Sequence, residues 1–221
     1  MHAISFDCYG TLIDWQRGLL AAASPVLARL GRDMEPAALF GAFADAERRA
    51  ERPPYRPYRD VLRAVATELF GPGASPGDRD SLWRSIGDWP AFDDAAPSLA
   101  WLKSRYRLAV ASNIDDDLFA LTAPKLGVAL DELVTAQQVG SYKPGEAHFR
   151  ALCERLGLRP GEILHVAESR FHDVEPASRL GFVTAWVDRN GGGASASGRG
   201  GGTSDLRVGS LRDVVEKLGV A

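Results

Sequence analysis

The sequence predicts an α/β fold: a Rossmann-like parallel sheet with helices on both faces and an inserted helical cap domain. Three observations predict it. Short apolar, β-branched runs alternate with stretches of helical periodicity, the pattern of parallel strands joined by crossover helices. One long segment, from about Trp15 to Trp89, has helical patterns and no convincing strand. Polar residues able to do chemistry stand just past the ends of the apolar runs, where doubly wound sheets bind ligands.

The elements follow in chain order. Ala3–Phe6 is a compact apolar run ending at Asp7. The helical segment comes next. Leu19, Leu20, Ala23, Val26, Leu27 and Leu30 form one stripe, and Ala37–Arg49, Tyr58–Phe70 and Asp78–Ile86 are further helices. Pro53, Pro54, Pro57 and the stretch GPGASPG at 71–77 separate them. Arg107–Ala111 is the second strand, ending at Ser112. Asp115–Leu126 reads as a helix, Glu132–Ala136 as a weaker strand, and Glu146–Leu156 as a helix with Phe149, Leu152 and Leu156 on one face. Ile163–Ala167 and Phe182–Val187 are strands, and Leu211–Leu218 is a closing helix. Residues 191–202 hold seven glycines in twelve positions and read as a mobile surface loop. The expected organisation is a catalytic core of residues 1–14 and 91–221, with a helical cap over 15–90.

Composition narrows the function. Lys plus Arg number 26 and Asp plus Glu 29, a net charge of −3, so no basic field points to nucleic acid. Hydrophobic residues are 45% of the 221, enough for a proper core. No apolar run approaches a bilayer span, and the start MHAISFDCYG lacks a signal-peptide pattern. Two cysteines, Cys8 and Cys153, make no disulfide framework. The expectation is a cytoplasmic protein acting on a small molecule, without nucleic-acid or membrane partners. A homodimer stays open, on the premise of exposed apolar cap surface.

The strand ends carry Asp7, Ser112-Asn113 and Glu168-Ser169, with Lys143 in SYKP and Asp173 five residues past Glu168. A carboxylate, a hydroxyl, an amide, an ammonium and two further acids therefore share one rim. Each has a plain alternative as a turn cap or surface residue, but their joint order is hard to dismiss. Cys8 alternates away from Asp7 and reads as a buried apolar residue. His165 reads as a core histidine. His172 neighbours Asp173. Trp15, Tyr55 and Tyr58 read as core packing, with a cap-side pocket wall as the alternative.

These segments resemble the haloacid dehalogenase superfamily of hydrolases. FDCYGTLID is similar to its first motif, ASN at 111–113 to its second, SYKP with Lys143 to its third, and AESRFHD to its fourth. The resemblance implies that Asp7 is a nucleophile forming a covalent ester that water then hydrolyses. Phosphatases of the superfamily carry a second Asp two residues past the nucleophile, to protonate a leaving alcohol; this sequence has Tyr9. A halide leaves as a stable anion and needs no general acid. Tyr9 thus resembles the L-2-haloacid dehalogenase branch and its azetidine-2-carboxylate hydrolase relatives, which attack carbon.

The resemblance implies catalytic roles for Asp7, Thr11, Ser112, Lys143 and Asp173, and substrate contacts for Tyr9, Asn113, Glu168 and Phe149. Lys143 would keep Asp7 ionised. Thr11 and Ser112 would orient a substrate carboxylate. Asp173, with Glu168, would position or activate water. The leaving-halide arginine of that branch has no counterpart at 40–43; Arg48, Arg49 and Arg52 are the nearest candidates. No cofactor is expected. The alternative is a phosphatase holding Mg²⁺ on Asp7, the Tyr9 carbonyl, Glu168 and Asp173, and a further one is a non-catalytic binding protein on this fold.

Overall fold

The computed structural model describes residues 1–189, 191 and 203–219. The glycine-rich stretch 191–202, read above as a mobile loop, lies outside the described residues except for Gly191. Strand β1 (Ala3–Phe6) opens the chain, and the four helices of the insert follow. They are α1 (Trp15–Arg29), α2 (Pro36–Ala50), α3 (Tyr58–Phe70) and α4 (Pro76–Arg84). The chain then runs α5 (Ala95–Lys103), β2 (Arg107–Ser112), α6 (Asp116–Thr122), β3 (Glu132–Thr135), α7 (Ala136–Val139) and α8 (Ala147–Leu156). It closes with β4 (Ile163–Ala167), α9 (Glu175–Arg179), β5 (Val183–Val187), β6 (Leu206–Val208) and α10 (Leu211–Gly219).

Local chemistry sets several boundaries. The Asp14 carboxylate caps α1 by accepting from the Arg17 N–H at 3.0 Å. Ser75 and Asp78 form a capping box at the start of α4, with Pro76 in the first turn. The helix expected over Asp115–Leu126 stays α-helical only to Thr122; Pro124 lacks an N–H and the chain tightens into a 3₁₀ turn over Ala123–Leu126. The short strand β6 has no counterpart among the elements read from sequence.

The six strands among the described residues are all parallel, in the order β3-β2-β1-β4-β5-β6. The order reverses direction between β1 and β4, so the crevice beyond their carboxyl ends is the switch point where such sheets place ligands. Alternation along the strands makes two cores. Ala3, Ala109, Ala111 and Ile163 face α8 through Phe149, Leu152 and Leu156. Ile4, Phe6, Leu108, Val110 and Leu164 face the other way, toward Leu99 and Leu102 of α5 and Leu211 and Val214 of α10.

Helices α1 to α4 pack as a separate layer continuous with this second core, through Leu39, Val61, Leu62, Val65 and Leu82. Gly18 permits a close approach: a Cβ there would lie 2.3 Å from Trp89 Cγ. Asp115, after β2, ties the insert to the sheet. Its carboxylate accepts from Tyr55 Oη and from the Tyr58 N–H, both at 2.9 Å. Among the described residues, the exposed large apolar side chains are Met1 and Leu121, neither of them in the insert. No helix among the described residues is long and apolar enough to cross a membrane.

Candidate active site

Asp7 follows β1 directly, and its N–H still bonds to Val166 O of β4 at 3.1 Å. The chain then turns sharply through Gly10, at φ 99°, where a side chain would meet Trp15 and Glu168. This turn returns Thr11 to the nucleophile candidate. Thr11 Oγ1 donates to Asp7 Oδ2 at 2.9 Å and accepts from the Glu168 N–H at 2.9 Å. Asp7 Oδ1 accepts from Lys143 Nζ at 2.8 Å.

The same ammonium donates to Ala111 O at 2.8 Å and to Asp173 Oδ1 at 2.6 Å. Lys143 is 2% exposed and Asp173 1%, so this is a buried charge cluster. Asn113 fixes the lysine's backbone from both sides: its Oδ1 accepts from the Lys143 N–H at 2.7 Å, and its Nδ2 donates to Lys143 O at 3.1 Å. Behind Asp173, His165 Nε2 lies 3.0 Å from Oδ1, and His165 Nδ1 lies 2.9 Å from Ser5 Oγ. The core histidine thus holds the Asp173 carboxylate in place.

One ammonium serves two carboxylates, and the electrostatics divide them. Burial opposes ionisation of Asp173, but Lys143 and His165 outweigh it and hold its pKa well below the usual carboxylate range. Burial opposes the charge on Lys143 too, but Asp173 and Asp7 hold its pKa above the ordinary lysine value. Asp7 receives what is left. Burial raises its pKa, Lys143 opposes this, and Asp173 adds to it. Two carboxylates thus share one ammonium, and Asp7 is the one that the cluster makes harder to ionise.

Asp7 faces a cavity of about 70 Å³ between the sheet edge and the insert. At roughly 10–15 Å³ per water position, it holds about five waters or a small organic molecule. The core lends Tyr9, Ser112, Asn113, Lys143, Ser169, His172 and Asp173 to its wall. The insert lends Trp15, Phe43, Ala44, Glu47, Arg48, Glu51 and Tyr58, and Trp89 completes it. Ser112 Oγ is buried there without a hydrogen-bond partner. Tyr9 Oη lies 2.9 Å from Thr122 Oγ1, so its hydroxyl is engaged with α6. A wider cavity of about 740 Å³ shares Arg48, Glu51, Lys143 and His172 with the first and adds Arg52.

Of the expected site residues, Asp7, Tyr9, Ser112, Asn113, Lys143 and Asp173 come together on this cavity. Three others are placed differently. Phe149 is fully buried and packs edge-on against His165 and Phe182, with centroids 5.2 and 5.6 Å away. It sits on the apolar face of α8, against the sheet, and is a core residue rather than a substrate contact. Thr11 is fully buried behind Asp7 and braces it; it is not part of the cavity wall. Glu168 lines a different cavity, with Gly10, Asp14, Trp15, Gln16, Phe92 and Arg189.

That last placement bears on magnesium. Asp7 and Asp173 already share Lys143, and Glu168 belongs to another cavity. Among the described residues, no group of three or more His, Cys, Asp or Glu side chains converges as a metal site. The donor set named for Mg²⁺ does not fit the ion. Of the arginines considered for the leaving group, Arg48 lines the cavity, whereas Arg49 pairs with Glu68.

Sequence reasoning missed Glu47 and Glu51. Their signal was present, since Leu39, Phe43, Glu47 and Glu51 continue one stripe of α2 at intervals of four. Burial pushes Glu47 up to about 7, with Asp7 contributing and Tyr58 and Arg48 opposing. Burial also raises Glu51 well above its ordinary value, with Glu47 adding to it.

The chain is similar to known proteins in sequence and in fold. The chain is 29% identical over 200 residues to (S)-2-haloacid dehalogenase 4A of Burkholderia cepacia, covering 86% of this chain and 84% of that protein. It is 26% identical over 203 residues to (S)-2-haloacid dehalogenase 1 of Pseudomonas sp. strain CBS-3, covering 86% and 85%. The fold matches the crystal structure of L-2-haloacid dehalogenase from Xanthobacter autotrophicus with chloropropionic acid covalently bound, with a TM-score of 0.82 and 21% identity, over 99% of this chain and 98% of that one. A family model described as haloacid dehalogenase-like hydrolase matches residues 1–181. The chain belongs to the haloacid dehalogenase-like hydrolases.

Proposed function

We propose that this hydrolase displaces a leaving group from a carbon α to the carboxylate of a small acid, through an ester on Asp7. The observation that carries this is the Asp7 carboxylate, held by Thr11 and Lys143 at the cavity wall. An Asp7 oxygen attacks the carbon in line, the C–X bond breaks, and X leaves with its electron pair. Esterification removes the Asp7 charge and leaves Lys143 paired with Asp173. Part of the cost of burying that charge is thereby recovered in the reaction. Tyr9 stands where a phosphatase needs an acid, and a halide needs none.

Residues 15–90 serve as the cap that closes the site. The two unpaired thiols, Cys8 and Cys153, fit a reducing cytoplasm. Assay on 2-chloropropionate and on p-nitrophenyl phosphate, each with and without EDTA, tests the assignment. Chelator-insensitive chloride release is expected. Chelator-sensitive phosphate release without chloride release would contradict it.

Ser112 is assigned to the substrate carboxylate, because its buried hydroxyl lacks a protein partner. Ser112→Ala is expected to leave the melting temperature unchanged and to raise KM about tenfold, as one lost hydrogen bond of roughly 1.4 kcal/mol implies. A lower melting temperature with an unchanged KM would assign the hydroxyl to the fold instead.

Glu47 favours a second substrate type, a strained cyclic amino acid opened by C–N cleavage. An amine leaving group needs a proton, and Glu47, on the cavity wall with a pKa of about 7, can supply one near neutrality. Glu47→Gln is expected to slow opening of azetidine-2-carboxylate by roughly 10²–10⁴-fold and to spare 2-chloropropionate turnover. Parallel kcat measurements decide it; equal losses on both substrates would remove Glu47 from the acid role.

A further inference from the structure

Hydrolysis of an ester on Asp7 needs a base for the incoming water, and Asp173 is poorly suited to it. Asp173 Oδ1 is bound by both Lys143 and His165, and these neighbours hold the acid well below its ordinary range. A carboxylate so stabilised takes a proton reluctantly. His172, one residue earlier, is placed differently. It lies in a single π-helical turn, Arg170–Val174, and its N–H donates to Ser169 Oγ at 3.1 Å. Its ring Nδ1 lies 3.2 Å from the same hydroxyl. Its Nε2 is buried without a hydrogen-bond partner, and the residue lines the cavity that holds Asp7.

A buried ring nitrogen left unbonded costs about 1–3 kcal/mol, so its retention in the wall of a reaction cavity points to a partner that arrives with the reaction. With Nδ1–H directed to Ser169 Oγ, Nε2 presents a lone pair to the cavity. We propose that His172 is the general base that activates water against the Asp7 ester. This rests on the ester assignment above.

The step balances. Water oxygen bonds to Asp7 Cγ while one water proton passes to His172 Nε2. The bond from Cγ to the ester oxygen then breaks, and the departing alkoxide takes that proton from His172 as the alcohol is formed. The second water proton remains on the regenerated Asp7 carboxyl and passes to solvent. Burial depresses the His172 pKa to about 4, with Asp173 opposing and Lys143 and Arg48 assisting, so the ring is neutral near pH 7 and its Nε2 lone pair is not already protonated. Arg48 and Glu47 of α2 and Glu51 just past its end share the cavity with it, as do Asp7 and Lys143.

The test is rapid-quench turnover of (S)-2-chloropropionate by wild type, His172→Asn and His172→Gln, with mass spectrometry of the Asp7 peptide. Both variants are expected to release one equivalent of chloride per site at the wild-type rate. They should then stall with the ester on Asp7, the later turnovers slowed roughly 10²–10⁴-fold. The burst itself reports that the variants are folded. Ester hydrolysis at the wild-type rate in both variants would overturn the proposal. So would loss of the chloride burst in variants with native circular dichroism, which would move His172 to the first step. Failure of wild type to form any ester would instead remove the Asp7 assignment itself, and the proposal with it.

Discussion

Asp7→Asn is expected to abolish turnover while raising the melting temperature. The first effect follows from loss of the nucleophile, a change on the order of 10⁶ in kcat where a covalent catalyst is removed. The second follows from the sign of the Asp7 shift. Burial raises its pKa above the unfolded value, so ionised Asp7 is less favourable in the folded protein than in the unfolded chain. Its folding cost is absent at low pH and appears as pH rises through the unfolded and then the folded pKa. A neutral amide removes that cost and leaves Lys143 paired with Asp173. Each kcal/mol recovered raises the melting temperature by about 2–4 °C in a protein of this size. Thermal denaturation at pH 7 and pH 4 measures it: the gain should be present at neutral pH and shrink on acidification. A variant less stable than wild type at both pH values would show that the Asp7 charge is fully compensated. For the same reason, the acid limb of wild-type activity should lie above the ordinary carboxylate range.

Lys143→Met carries the opposite expectation for the fold. Its ammonium is the shared partner of Asp7 and Asp173, and all three groups are buried. Removing it leaves two carboxylates facing one another, at a cost of about 3–5 kcal/mol, or about 6–20 °C in melting temperature. The raised pKa of Lys143 means that its contribution is fully present below the unfolded lysine value and is lost as pH rises through the folded one. At neutral pH the whole penalty should therefore appear. Adding Asp7→Asn to Lys143→Met should recover part of the loss, because one carboxylate is neutralised; the double-mutant cycle reads that coupling directly. Additive changes in melting free energy would contradict the shared-charge description.

Much of the fold was legible because its strands are buried on both faces. Ala3–Phe6, Arg107–Ala111 and Ile163–Ala167 stand out as apolar runs, and their ends bring Asp7, Ser112 and Asp173 to one rim. The short β6 was not legible: three residues have no periodicity. Phe149 was misjudged even though α8 held the answer. Its spacing with Leu152 and Leu156 places it on the apolar face, and that face covers the sheet. Glu47 and Glu51 were overlooked because acids on a helix ordinarily mark its solvated side. Only packing of α2 over the sheet edge turns them inward. The tie from Ser5 through His165 to Asp173 joins residues distant in sequence, and nothing in either segment announces it.

Single-turnover hydrolysis in ¹⁸O-water most directly tests the central claim that Asp7 bonds to carbon and is released by water attack on its own carboxyl. With enzyme in excess over 2-chloropropionate, the label is predicted to enter the Asp7 carboxylate, leaving the first hydroxy-acid product unlabelled. Label in that first product, with Asp7 unlabelled, would mean that water attacks the substrate carbon directly and that no ester forms.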